Sequence, residues 1–181
     1  MKRRLHGYGF RRMVFGLVLL GISAGAPGAH AFEAVSFGAG FNEDGIAIYR
    51  VEVQKGLGYR WYESSTGFLL LSLDGSVDYW HKADDGNVAA ALSPFLTYYF
   101  KTDRPILPFI EGGIGAAYVS DTRIEGRDLG IHFQFQDILG VGVRLWRNHG
   151  IRVRALHYSN AGIDDANDGI TFYTVSYHYR F

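Results

Sequence analysis

The chain has 181 residues, room for one domain and hardly for two. Five of its 18 basic residues (Lys2, Arg3, Arg4, Arg11 and Arg12) lie in the first 31, which hold no acid. The remainder therefore carries 13 basic against 18 acidic residues, the wrong sign for a nucleic-acid binder. With no cysteine, disulfide scaffolds, thiol catalysis and thiolate zinc sites are excluded, and a 15% aromatic content excludes a disordered chain.

Residues 1–31 read as a secretory signal. A basic start leads into the apolar run 13–22, then small residues ending Ala29-His30-Ala31. Cleavage after Ala31 leaves Phe32 first in the mature body, 32–181; an uncleaved anchor is the alternative. The apolar run is about half the roughly 20 residues that a spanning helix needs. No other stretch offers such a helix, so a membrane-embedded body has to be a closed β-barrel, with no backbone group unpaired in lipid.

From 33 onward the pattern is period two, the signature of strands. Segments 33–42, 46–56, 67–80, 88–101, 106–119, 130–146, 150–159 and 169–181 are the predicted strands. They are cut by breaker-rich stretches such as Asn42-Glu43-Asp44-Gly45, 121–128 and 160–168. An even count suits an eight-stranded antiparallel outer-membrane β-barrel, the expected all-β fold.

In the second strand Tyr49, Val51 and Val53 oppose Arg50, Glu52 and Gln54; in the last, Tyr173, Val175 and Tyr177 oppose Thr174, Ser176 and His178. A soluble sandwich would turn the apolar face inward and an outer-membrane barrel turns it outward. Three features favour the membrane. The polar face carries Arg50, Glu52, Asp74, Asp78, Glu111, Arg144, Arg152 and Arg154, which can pair across a small lumen. Aromatics bunch near strand ends at Tyr79-Trp80 and Tyr98-Tyr99-Phe100, where interfacial girdles would lie, and the chain ends on Phe181. Pro94 and Pro108 fall inside predicted strands, so Pro108 is expected near a strand start and Pro94 at a bulge.

The stretch His157-Tyr158-Ser159-Asn160-Ala161-Gly162-Ile163 carries the chemistry. Residues two apart on a strand share a face, roughly 6.5–7 Å apart along the chain. An imidazole and a hydroxyl so placed can make the pairing that turns serine into a nucleophile. Counted in parity, His157 and Ser159 align with Ala155, Val153 and Ile151, opposite Arg152 and Arg154. The pair thus belongs to the lipid-facing side, which suggests a substrate that is itself a membrane lipid. An interfacial histidine beside a turn-forming Ser-Asn is the bland alternative.

His157 to Gly162 followed by Asn167-Asp168-Gly169-Ile170 resembles the lipid A 3-O-deacylase (PagL) family. So do Phe133-Gln134-Phe135-Gln136-Asp137 and the run from Pro108 to Gly115. The resemblance implies an eight-stranded outer-membrane barrel with a serine-hydrolase site on its outer surface, removing the 3-O-linked 3-hydroxyacyl chain of lipid A. It makes Ser159 the nucleophile and His157 the general base. Asn160 and the Gly162 N–H would form the oxyanion hole, Asn167 would brace the loop, and Phe135 would line the acyl groove. One position departs: Thr171 stands where the family places the glutamate that orients the histidine. Threonine supplies no negative charge, and removing a triad acid lowers the rate by about four orders of magnitude.

Asp137 is a candidate substitute, on the outward parity of Phe133, Phe135 and Leu139. If the hairpin between the sixth and seventh predicted strands closes on residues 147–149, Asp137 faces Ser159; Asp165 and Asp168 are loop-borne alternatives. No cofactor and no metal is expected. The expected partners are lipid A or lipopolysaccharide as substrate, outer-membrane lipids and the barrel-assembly machinery, with a homodimer left open. The outer membrane of a Gram-negative bacterium is the expected location. Two other functions remain at this stage: a non-enzymatic, catalytically lapsed barrel that is structural or lipopolysaccharide-binding, and an esterase or phospholipase using the same surface.

Overall fold

A computed structural model describes residues 32–181; the predicted export signal, 1–31, lies outside the described residues. The strands are β1 (Ala34–Asn42), β2 (Ala47–Trp61), β3 (Gly67–Lys82), β4 (Asp85–Phe100), β5 (Ile106–Val119), β6 (Arg123–Ile124), β7 (Arg127–Asp128), β8 (Phe133–Leu145), β9 (His149–Ser159) and β10 (Ile170–Arg180). Eight of them close an antiparallel barrel in the order β1-β10-β9-β8-β5-β4-β3-β2, while β6 and β7 form a separate hairpin. Closure of β1 on β10 leaves no sheet edge, which is what lipid demands of a spanning sheet.

Period two decides what faces where. Phe37, Tyr49, Ile114, Leu139, Val153 and Tyr173 are exposed on the outer wall, as an apolar band toward lipid. Arg50, Glu52, Asp74, Asp78, Glu111, Arg152 and Arg154 are buried in the lumen. Arg154 bonds Glu52, Asp74 and Glu111; Arg152 pairs with Glu52; Arg50 bonds Glu52 and Asp78. Gly140 makes room for this network, because a Cβ there would lie 2.9 Å from both Arg154 Cγ and Glu111 Oε1. Arg144, expected among these pairs, instead lies over the Tyr99 ring, 4.9 Å from its centroid.

The aromatic girdle is only partly where the clustering of residues placed it. Trp80 is fully buried and Tyr99 nearly so, both turned into the lumen, whereas Phe100 is exposed. Neighbours on a strand alternate sides, so a run of aromatics cannot all reach the interface. Trp80 packs at 4.9 Å on Tyr158 and at 5.0 Å on Phe172, centroid to centroid. With Ile46, Leu129 and Leu156 they fill one end of the lumen with an apolar plug.

Pro94 makes no bulge. The β4–β5 register is the same on either side (Leu92↔Ala116, Phe95↔Gly113), and the ladder skips Ser93 and Pro94. On its other side Pro94 pairs in sequence with Leu73, so only the bond that its missing N–H would make is lost. The bulge falls in β2 between Gly56 and Arg60, which is why that strand runs past 56 to Trp61. Pro108 lies near the start of β5, as expected.

Connections 62–66, 101–105 and 146–148 gather at the rim that holds both ends of the described chain. The longer connections 120–132 and 160–169 lie at the opposite rim, above the apolar plug. Outer-membrane barrels carry their longer loops outside the cell, so this is the outer rim.

Candidate active site

β9 alternates Arg152, Arg154, Leu156 and Tyr158 inward with Val153, Ala155, His157 and Ser159 outward. The inward set is fixed by ion pairs and by the aromatic plug, which leaves His157 and Ser159 no choice of face. They end the strand at the outer rim, both half-buried.

Across the β9–β10 ladder His157 is paired with Thr171, and His157 Nδ1 lies 2.8 Å from Thr171 Oγ1. On the other side Asp137 of β8 stands opposite His157, and Phe135 opposite Ser159. This corrects the expectation that Asp137 faces Ser159. The hairpin closes on 146–148 rather than 147–149, with Leu145 paired to His149. Trp146 and Arg147 both take positive φ (43° and 66°), so the turn is made one residue earlier. Parity is untouched, but Asp137 moves from Ser159 to His157. Among the described residues the Asp137 carboxylate makes no hydrogen bond, and Ser159 Oγ makes none to His157. Ligand-free sites often leave such bonds long until substrate is seated.

The turn after Ser159 is organised by two asparagines. Asn160 is fully buried, and its amide donates to the carbonyls of Leu129 (3.0 Å) and Ala166 (2.8 Å). Its Oδ1 accepts from the Gly162 N–H at 2.8 Å, while its own N–H donates to Asn167 Oδ1 at 2.9 Å. Ala161 and Gly162 follow at φ 55° and 79°, two left-handed residues in a row. A Cβ at Gly162 would meet nothing within 4 Å, so the space beside the turn is open. Asn160 thus reaches the site through the turn it holds, not by its amide.

The loop acids do not reach His157. Asp168 Oδ2 accepts from the Asp128 N–H at 2.7 Å, and Asp165 is exposed with no bond to His157. Phe135 stacks edge-on with Phe133, centroids 5.1 Å apart, and flanks Ser159 with an apolar surface.

The β6–β7 hairpin falls where the breaker-rich stretch 121–128 predicts no strand. Its two-residue turn, Glu125-Gly126, has φ 48° and 84°. A pair ending in glycine was the one available signal, since two-residue strands have no periodicity. The hairpin crosses to the 160–169 loop: Asp168 N–H donates to Asp128 O at 3.0 Å, and Arg127 Nη1 donates to Gly169 O at 2.9 Å. Arg127 also bonds Asp44 (2.7 Å) and Glu43 (2.7 Å) of the β1–β2 turn. The hydrogen bond from Arg127, with its positive charge, holds the Asp44 carboxyl below its usual range. Burial alone would lower the Arg127 guanidinium, but its two acidic partners raise it.

Comparison with known proteins gives one answer. The family described as lipid A 3-O-deacylase (PagL) matches residues 47–180. The lipid A deacylase PagL of Pseudomonas aeruginosa is 35% identical over 167 residues, 89% of this chain and 96% of that one. The lipid A deacylase PagL of Bordetella bronchiseptica is 40% identical over 73 residues, 40% of this chain and 41% of that one. A crystal structure of the outer membrane enzyme PagL superposes with a TM-score of 0.77 at 35% identity, over 82% of this chain and 99% of its own. With the barrel shared and the match running through β9 and β10, the chain belongs to the lipid A 3-O-deacylase family.

Proposed function

We propose that the protein is an outer-membrane lipid A 3-O-deacylase, a carboxylic ester hydrolase in which Ser159 is the nucleophile and His157 its base. The observation that carries this is the outward placement of His157 and Ser159 at the outer rim, where the ester of a lipid in the outer leaflet would lie. A hydrogen bond from Nδ1–H to Thr171 Oγ1 would fix the tautomer and leave the Nε2 lone pair to take the Ser159 proton. Oγ then attacks the ester carbonyl, the C–O bond to the sugar breaks, and the imidazolium returns the proton to the departing 3-hydroxyl. Water, activated by the same imidazole, releases the 3-hydroxy fatty acid from Ser159.

The tetrahedral oxyanion would sit beside the left-handed Ala161-Gly162 turn, and the Gly162 N–H would have to turn from Asn160 Oδ1, to which it donates at 2.8 Å, to receive it. Asn160 and Asn167 support that turn. Phe135 lines the path of the acyl chain. Thr171 orients the imidazole without charge, and Asp137, directly across the ladder, supplies the charge that the family glutamate would have brought. A carboxylate on a lipid-facing wall is costly, which argues that it is kept for a purpose. Residues 1–31 would export the chain and the aromatic last strand would engage the barrel-assembly machinery; a homodimer would leave the site complete in each copy.

Purified protein incubated with lipid A tests this by mass spectrometry. Loss of one 3-hydroxyacyl chain is expected, abolished by Ser159→Ala and by His157→Gln. No loss from lipid A, with binding retained, favours a lapsed barrel instead. Asp137→Asn at the wild-type rate removes the aspartate from the mechanism while leaving the serine and histidine in place.

A further inference from the structure

The geometry points to Arg127 as a positioning residue for this reaction, through the backbone of Gly169; the inference rests on His157 being the base. Gly169 has φ 60°, and a Cβ built on it would lie 3.0 Å from His157 Cε1 and 3.5 Å from Nε2. The α-carbon of Gly169 is therefore the floor beneath the edge of the ring that must take the serine proton. Thr171, which holds the other side of the ring, is two residues further along the same chain. Thr171 is fixed by its ladder pairing with His157, so the Gly169 peptide governs the one support that lies outside the ladder.

The Gly169 carbonyl receives Arg127 Nη1 at 2.9 Å. Arg127 is in turn immobilised by Glu43 and Asp44, which belong to the β1–β2 turn beside the start of β10. A second connection runs in parallel: Asp128 and Asp168 exchange bonds, N–H to O at 3.0 Å and N–H to Oδ2 at 2.7 Å. Leu129, next in the chain, is fully buried and its carbonyl takes the Asn160 amide. The β6–β7 hairpin thus clamps the 160–169 loop at both ends, by Asn160 after the nucleophile and by Gly169 beneath the base. The loop's internal bonds from Asn160 to Ala166 and Asn167 stop short of Gly169, which the hairpin holds instead. A displacement of about 1 Å at a reacting group can lower the rate roughly a hundredfold.

Arg127 touches no reacting atom here, so its effect should appear in turnover and not in substrate capture. Steady-state kinetics on lipid A in detergent micelles would compare wild type, Arg127→Gln, Arg127→Lys and the double variant Glu43→Gln/Asp44→Asn. Arg127→Gln is expected to lower kcat between about tenfold and a hundredfold, with KM within about twofold. Arg127→Lys should restore part of the loss, since an ammonium can reach the Gly169 carbonyl or the acids but does not reproduce the fork. The double variant, which leaves the guanidinium but frees it, should show a smaller fall of the same kind.

Wild-type kcat in Arg127→Gln overturns the inference, as does a raised KM at unchanged kcat, which would make Arg127 a substrate contact. If Arg127→Gln does not reach the folded barrel, the double variant decides: unchanged turnover there overturns the clamp. Absence of deacylation by the wild type brings down the functional reading itself, and the inference with it.

Discussion

Thr171 Oγ1 lies 2.8 Å from His157 Nδ1, so the imidazole proposed as the base is oriented by a neutral hydroxyl. That bond secures the orientation of the ring, while stabilisation of an imidazolium would have to come from elsewhere. Thr171→Val removes one hydrogen bond of about 1 kcal/mol and should slow turnover about fivefold. Thr171→Glu should raise it, by about tenfold or more within the roughly four orders of magnitude that a triad acid can supply. Release of 3-hydroxy fatty acid, followed by mass spectrometry, measures both.

Gly169→Ala sets a methyl 3.0 Å from His157 Cε1, at a backbone angle (φ 60°) that alanine adopts with strain. The strain is about 1–2 kcal/mol, and the ring must tilt. Turnover should fall at least tenfold while the barrel still folds, as judged by heat-modifiable migration on gels.

The lumen gives a stability prediction independent of the site. Arg154 serves Glu52, Asp74 and Glu111, all buried. Arg154→Met would leave three carboxylates without that partner, and breaking a buried pair in this way typically destabilises by about 3–5 kcal/mol. Urea unfolding in detergent should show it. The same buried network lies under the Trp80–Tyr158–Phe172 plug, so the protein in planar bilayers should conduct no ions.

The acid limb of loop order follows from Asp44, whose carboxyl is held below its ordinary 3.8 by the hydrogen bond and charge of Arg127. A depressed folded value means the contact contributes fully above the unfolded value and is lost as pH falls through the folded one. Between pH 5 and 8 the Arg127 Nε–H resonance should not move, and it should change only below about pH 4.

The outward face of His157 and Ser159 was legible because strand parity survives errors in strand ends: a boundary can slip without turning a side chain. Register is less forgiving. The partner of Asp137 depends on which residues make the turn, and Trp146 and Arg147 do not look like left-handed residues until they are seen to be. Trp80 and Tyr99 were drawn to the interface by their neighbours, although parity alone sends both inward. Arg127 was invisible for another reason. Its partners, Glu43, Asp44 and Gly169, are distant in sequence and are assembled only when the rim closes.

Because His157 and Ser159 open sideways onto the apolar wall, a lipid reactant would reach the proposed site by diffusing within the leaflet and not through bulk solvent. Encounter is two-dimensional. Diluting the target with inert detergent or phospholipid at constant total concentration should therefore slow hydrolysis in proportion to its mole fraction, whereas adding buffer to the same vesicles should leave the rate per particle unchanged.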